Sequence, residues 1–225
     1  MRTADKDGAR PRRTQAERRQ HTRQALLDAA LLQMEAGESF DSLSLRSVAR
    51  AAGVVPTAFY RYFASMDELG LVLIEDSFRT LRAMLRHARE ESVPAERIIN
   101  RSVEILVSYV RENRQQFAFV ARIRSTGNGV LRHAIRAEIR LFISDLATDL
   151  ARFPVLDRWG TDDLQMLSAL LVNTMIATIE SLLDAPPDST ETIGEITALA
   201  ERQMRLVILG VPGWDSDRSR RGPRR

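Results

Sequence analysis

The sequence predicts an all-α protein, and three observations carry that prediction. Apolar residues recur at i, i+3, i+4 and i+7 through most of the 225 residues. The apolar–polar alternation of a half-buried strand does not appear, nor does any internal repeat. Glycine, proline and helix-capping serine residues separate the periodic stretches. The length accommodates a small N-terminal domain and a larger C-terminal one.

Residues from about Thr14 to Ala36 form the first expected helix, with Leu26, Ala29, Ala30 and Met34 in a 3.6 period and Gly37 at its end. The second follows Ser44 as N-cap, and its Leu45, Val48, Ala49 and Ala52 make one apolar stripe. Gly53 closes it, because a residue just past a helix end often needs positive φ, and Pro56 suits the first turn of the next helix. On that third helix Phe59 and Phe63 share a face at i, i+4, which leaves Thr57, Ala58, Tyr60, Arg61 and Tyr62 outward or beside the seam.

A longer helix begins at Ser65, where Ser-Met-Asp-Glu reads as a capping box, and runs through Leu71, Ile74, Phe78, Leu81 and Leu85 toward Arg89. Pro94 starts another with Ile99, Val103, Leu106 and Val110, and a short helix carries Phe117, Val120 and Ala121. Ser125 to Gly129 reads as a loop. Beyond it Ile135, Ile139, Phe142, Leu146, Leu150 and Phe153 mark a long amphipathic helix that stops before Pro154. The next, about Thr161 to Leu183, is apolar around much of its circumference, as expected of a helix buried against its own core and against a partner subunit. The last spans about Glu191 to Leu209 and stops at Gly210. The expected organisation is a disordered basic arm (1–13), a helix-turn-helix domain (14–64), a helical domain (65–210) and a basic tail (211–225).

Two helices joined by a glycine turn, the second presenting small, hydroxyl-bearing and basic residues from its N-terminal end, form a helix-turn-helix suited to a DNA major groove. Such spacing also occurs in helical proteins that never meet DNA. The exposed tyrosines favour DNA, since a phenol hydroxyl reaches phosphate oxygens well. Charge agrees: the net +3 is uneven, with 11 basic and 7 acidic side chains in residues 1–63, 17 and 21 in 64–210, and 5 and 2 in 211–225. Arg10, Arg12, Arg13, Arg18, Arg19 and Arg23 lead into and along the first helix and would give salt-dependent affinity for a polyanion. Arg218, Arg220, Arg221, Arg224 and Arg225 read as a solvated tail.

Zero cysteines removes disulfides and thiol chemistry, and no window of about 18 consecutive apolar residues or apolar leader is visible, so a cytoplasmic protein without membrane insertion is expected. His21, His87 and His133 are scattered, and no phosphate loop, metal spacing or nucleophile elbow occurs, so neither enzyme activity nor a cofactor or metal is expected. Asp162 and Asp163 read as helix-start carboxylates.

The basic arm, the three-helix headpiece, the Phe59-Tyr60-Arg61-Tyr62-Phe63 ending and the larger helical region together resemble the TetR family of transcriptional regulators. Ser42 to Arg46, Pro56 to Arg61, Met66 to Leu71 and the Phe117 to Gly127 segment look most like its FabR/DesT group, repressors of unsaturated fatty acid synthesis or desaturation. The resemblance implies a homodimer whose recognition helices enter successive major grooves of a palindromic operator, about 34 to 36 Å apart. It places Thr57 and Ala58 near base edges, Tyr60, Arg61 and Tyr62 among the DNA contacts with the tyrosines on phosphates, and Ser44 and Arg46 on the backbone. One position departs: many members carry lysine where this chain has Met66.

The same likeness implies a long-chain acyl-CoA effector. Phe117, Val120, Phe142 and Met175 could line an acyl tunnel, and Arg122, Arg124, Arg132 and Arg136 could meet CoA phosphates at its mouth. Phenylalanines at helical spacing also serve as ordinary core, and arginines on an amphipathic helix also simply face water. Two other readings stand beside this one: a TetR-type regulator answering to another small hydrophobic molecule, in drug efflux or signalling control, and a helical acyl-CoA carrier that binds no DNA.

Overall fold

The computed structural model describes residues 14–90, 95–126 and 128–216, and among them it is built of α-helices and short 3₁₀ turns without a strand. It divides into two compact units between Met66 and Asp67. The arm with Arg10, Arg12 and Arg13, the expected helix start at Pro94, Gly127 of the expected loop, and the arginines from Arg218 onward lie outside the described residues.

In the first unit α1 spans Gln15–Glu35. Its start is a reciprocal cap: the Glu17 N–H donates to Thr14 Oγ1 (3.2 Å) and the Thr14 N–H donates to Glu17 Oε2 (2.7 Å). Leu26, Leu27, Ala29, Ala30, Leu31 and Met34 are buried. After Gly37, whose φ of 102° lies in the left-handed region, a 3₁₀ turn at Phe40–Ser42 inserts Phe40 into the core. α2, Leu45–Ala51, is capped by Ser44, whose Oγ accepts from the Ser47 N–H at 3.0 Å. Gly53 at φ 72° turns the chain into α3, Pro56–Phe59.

The sequence suggests that α3 continues to Phe63, and the structure modifies this. Beyond Phe59 the hydrogen bonds tighten, Arg61 N–H to the Ala58 carbonyl (3.1 Å) and Tyr62 N–H to the Phe59 carbonyl (2.8 Å), before Phe63 N–H returns to an i−4 bond with Phe59 (3.1 Å). Phe59 and Phe63 remain on one face, fully buried, with ring centroids 5.6 Å apart.

In the second unit the core is shared by α4 (Met66–Glu90), α5 (Ala95–Glu112), α6 (Arg114–Thr126), α7 (Gly129–Leu150), α8 (Thr161–Asp184) and α9 (Thr190–Gly210). α8 packs on α5, α7 and α9. By length and composition alone α8 could cross a membrane; here its Leu164, Leu167, Leu171, Val172, Met175 and Leu182 are core. Arg82–Glu138 (3.0 Å), Arg86–Asp145 (3.2 Å) and Arg89–Asp149 (2.6 Å) pair α4 with α7. The C-terminal carbonyls of α8, at Leu182 and Leu183, and that of Ala185 accept from the Arg114 guanidinium at 2.7, 2.5 and 2.9 Å, which satisfies acceptors that a helix end leaves orphaned.

Three expectations change. The loop read from Ser125 to Gly129 is shorter: Ser125 stays in α6 with its hydroxyl donating to the Ala121 carbonyl (3.2 Å), and Gly129 already belongs to α7. Asn128 makes this possible, its Oδ1 accepting from the Leu131 N–H and its Nδ2 donating to Asp67 Oδ1, both at 2.9 Å. α7 ends at Leu150, with turns carrying the chain past Phe153. Residues 211–216 are packed rather than tail-like. Val211 and Ser216 are buried, and the Trp214 and Trp159 rings lie 6.5 Å apart. The Ser216 hydroxyl accepts from the Gly160 N–H (2.9 Å) and donates to Asp163, so Asp163, in the first turn of α8 as expected, is also a buried anchor.

Candidate functional site

Each unit offers one candidate site. In the first, α2 and α3 are held from behind by Val48, Ala49, Phe59 and Phe63, all essentially inaccessible, while the Arg23 guanidinium lies 5.7 Å from the centre of the Phe63 ring. Ser44, Arg46, Thr57, Tyr60 and Arg61 are exposed, Tyr60 by 64%, and Ala58 and Tyr62 are half-buried. All seven residues expected at DNA therefore retain accessible surface. Ser44 has a double role available: its oxygen caps α2 as acceptor, and the hydroxyl proton can still be donated outward. From Ser42 to Met66 the sequence holds Arg46, Arg50 and Arg61 and no carboxylate side chain. A hydroxyl- and guanidinium-bearing surface without acidic groups is suited to phosphate and base-edge acceptors.

In the second unit the expected effector residues separate into two cavities. A cavity of about 250 Å³ is lined by Phe142 and Met175 with Leu85, Leu146, Met204 and Val211 among its further apolar neighbours; Arg89 and Ser102 are its polar contributors. A smaller space of about 60 Å³ is lined by Phe117, Val120 and Arg124, along with Phe78, Ile139 and Ile176. The single tunnel expected from the sequence is thus divided, because neighbouring positions such as Ile139 and Phe142 on α7 contribute to different spaces.

Of the four arginines expected at a mouth, only Arg124 borders one of these two spaces. Arg122 and Arg136 are exposed and Arg132 is half-buried, and none of the three lines either cavity. Arg124 borders the smaller space but is ion-paired to Glu180. The arginine in the wall of the larger cavity is Arg89, in the last turns of α4, which the sequence marks only as the end of a helix. Its Nε and Nη2 donate to Asp149 Oδ2 at 3.2 and 2.6 Å, and both side chains are only 10% exposed. The signal available in the sequence was an arginine one turn beyond Leu85 on an apolar face; its acidic mate, 60 positions away, leaves no local trace.

A helix-turn-helix displayed at a protein surface, followed by a separate helical unit with an apolar cavity, defines a DNA-binding regulator with a ligand-binding class of second domain. The sequence model described as "Bacterial regulatory proteins, tetR family" matches residues 26–71, and "Tetracyclin repressor-like, C-terminal domain" matches residues 94–210, more than half of the chain. The chain belongs to the TetR family of transcriptional regulators, whose members bind DNA and are not enzymes.

Solved structures share the fold. The fatty acid degradation regulator FadR from Bacillus halodurans superposes with a TM-score of 0.67 at 17% identity, covering 84% of this chain and 95% of that one. A TetR-family regulator from Streptomyces coelicolor gives 0.64 at 21%, covering 86% and 97%. The TetR-family regulator PfmR from Thermus thermophilus gives 0.61 at 20%, covering 80% and 97%.

Proposed function

We propose that this regulator is a repressor that binds a palindromic operator in the cytoplasm as a homodimer, takes a long-chain acyl-CoA as effector, and controls genes of unsaturated fatty acid synthesis or desaturation. The observation that carries the effector reading is the larger cavity: its wall is almost wholly aliphatic and aromatic, a guest there loses water from apolar surface, and few polar groups compete for it. The fold shared with a protein described as a fatty acid degradation regulator, from Bacillus halodurans, supports the fatty acid part of this reading. Arg122 and Arg136, exposed outside the cavity, remain candidates for the phosphates of the CoA moiety.

The dimer reading rests on a second apolar face. Met166 and Leu170 on α8, and Leu199, Leu206 and Leu209 on α9, sit at helical spacings and are 40% to 72% exposed, although these two helices also supply much of the core. Pairing such faces between two copies would remove them from water.

Titrating the full chain with saturated and unsaturated acyl-CoAs while following thermal unfolding tests the effector. A ligand at a hundred times its Kd stabilises by about 2.7 kcal/mol, which corresponds to roughly 5 to 10 °C in a domain of this size class. Gel-shift titration with the DNA upstream of the chain's own gene, repeated with each ligand and at several salt concentrations, reads out the repressor half. Absence of salt-dependent DNA binding would point to the carrier reading, and a response confined to non-acyl hydrophobic compounds to a different effector.

A further inference from the structure

Resting on the effector cavity proposed above, we infer that this cavity selects guests whose head group is uncharged, accepting an acyl ester or thioester and excluding the free carboxylic acid, and that the Arg89–Asp149 pair is the selecting device. Among the described residues Arg89 is the one charged side chain in the lining. An arginine in an apolar cavity would ordinarily be the receptor for a fatty acid carboxylate, since a guanidinium offers a fork of donors matched to two carboxylate oxygens. That position is already taken. Asp149, 8% exposed, accepts from both Nε and Nη2 of Arg89, so the protein supplies from its own chain the carboxylate that a fatty acid would bring.

A guest carboxylate reaching Arg89 would place two carboxylates on one guanidinium beside an apolar space. The buried net charge would then be negative, and burying an uncompensated charge is among the costliest events in a protein interior. Arg152 does not relieve this: it lies 3.7 Å from the other oxygen of Asp149 with its side chain 70% exposed, where solvent screens it. An ester or thioester carbonyl has no such difficulty. It needs a single donor, which the guanidinium nitrogen outside the Asp149 contact or the Ser102 hydroxyl in the same lining can supply.

Octanoate and methyl octanoate are suitable probes, being small enough to enter whole so that their heads must lie within the cavity. Calorimetry on the full-length protein at neutral pH is expected to show the methyl ester binding at least about tenfold more tightly than octanoate, the ordinary scale for one unfavourable buried polar contact. In Asp149→Asn the neutral amide still accepts from Arg89 but no longer neutralises it, so octanoate binding is expected to rise and the order of the two probes to reverse. Equal affinities in the unaltered protein, or an unchanged ratio in a folded Asp149→Asn, would overturn the inference. If Asp149→Asn does not fold, the ratio in the unaltered protein decides alone. Failure of both probes to bind removes the cavity as a guest site, and the inference with it. Selective ester binding combined with acyl-CoAs that leave DNA binding unchanged would sink the proposed function and leave the selectivity standing.

Discussion

The two units place function on opposite sides of their packing. In the headpiece the buried side chains exist to hold a surface: Phe59 and Phe63 are inaccessible so that Thr57, Tyr60 and Arg61, on the same short segment, project to solvent. In the larger unit a wide apolar core surrounds the proposed guest space, and Phe142 and Met175 count there for what they fail to fill. A reading surface tolerates no looseness behind it, whereas a guest site is a deliberate departure from close packing. Volume changes should therefore act in opposite senses in the two units.

The largest expected effect is on the headpiece. Phe59→Ala removes a ring that is fully buried against Phe63 and should cost about 3 to 5 kcal/mol. A domain of this size has little more stability than that to lose. DNA binding should vanish in gel shifts while the acyl-CoA thermal shift of the larger unit persists; a variant that still binds its operator would show that the reading surface does not depend on this backing.

Next in size is Leu206→Glu, at a residue 72% exposed. Placing a carboxylate on the proposed dimer face should convert the protein to a monomer by light scattering and lower affinity for a palindrome by about a hundredfold, through lost bivalency alone. An unchanged oligomeric state would move the interface elsewhere. Met175→Trp sharpens the comparison from the other side. Filling the larger cavity should cost about 1 to 3 kcal/mol through overpacking and abolish the response to acyl-CoA with operator binding intact. A retained response would place the guest in the smaller space around Phe117 and Val120.

The same contrast explains what could be read from the sequence. Headpiece signals are local: Ser44 as cap, Gly53 at positive φ, Pro56 at a helix start and two phenylalanines one turn apart each act within a few residues of themselves. Periodicity also found which face of each long helix turns inward, but not where inward faces leave room, since that depends on several helices meeting. Phe117 and Phe142 therefore looked like parts of one tunnel and line two spaces. Arg122, Arg132 and Arg136 cluster near a break in the chain, but whether such residues border a cavity depends on how several helices meet, and none of the three lines either space. Arg89 and Asp149 acquire meaning only from each other, and nothing nearer than the tertiary fold joins them. Residues 211–216 looked like the start of a charged tail because their anchors, Gly160 and Asp163, lie far back in the chain.

Within the reading surface, hydroxyls expected at phosphates should differ from groups expected at bases. Tyr60→Phe should weaken binding about fivefold for every DNA sequence alike, the scale of one hydrogen bond, whereas Thr57→Val should change the ranking of operator variants. Competition against a randomised operator pool measures both, and altered ranking in Tyr60→Phe would reverse the assignment of the two faces.

The smallest expected effect separates two duties of one atom. Ser44 Oγ accepts from the Ser47 N–H, so Ser44→Ala should lower headpiece stability by about 1 kcal/mol, read as a shift in its unfolding midpoint. Ser44→Asp supplies an equally good capping acceptor and should restore that stability. An aspartate cannot donate to a phosphate and brings a negative charge toward one, in a stretch where the chain otherwise carries only arginines. Stability and DNA affinity should consequently part: recovered folding with impaired binding for Asp, weakened folding with a milder binding loss for Ala. If Ser44→Asp bound DNA as tightly as the unaltered protein, Ser44 would be a cap and nothing more, and the backbone contacts of this segment would fall to Arg46 alone.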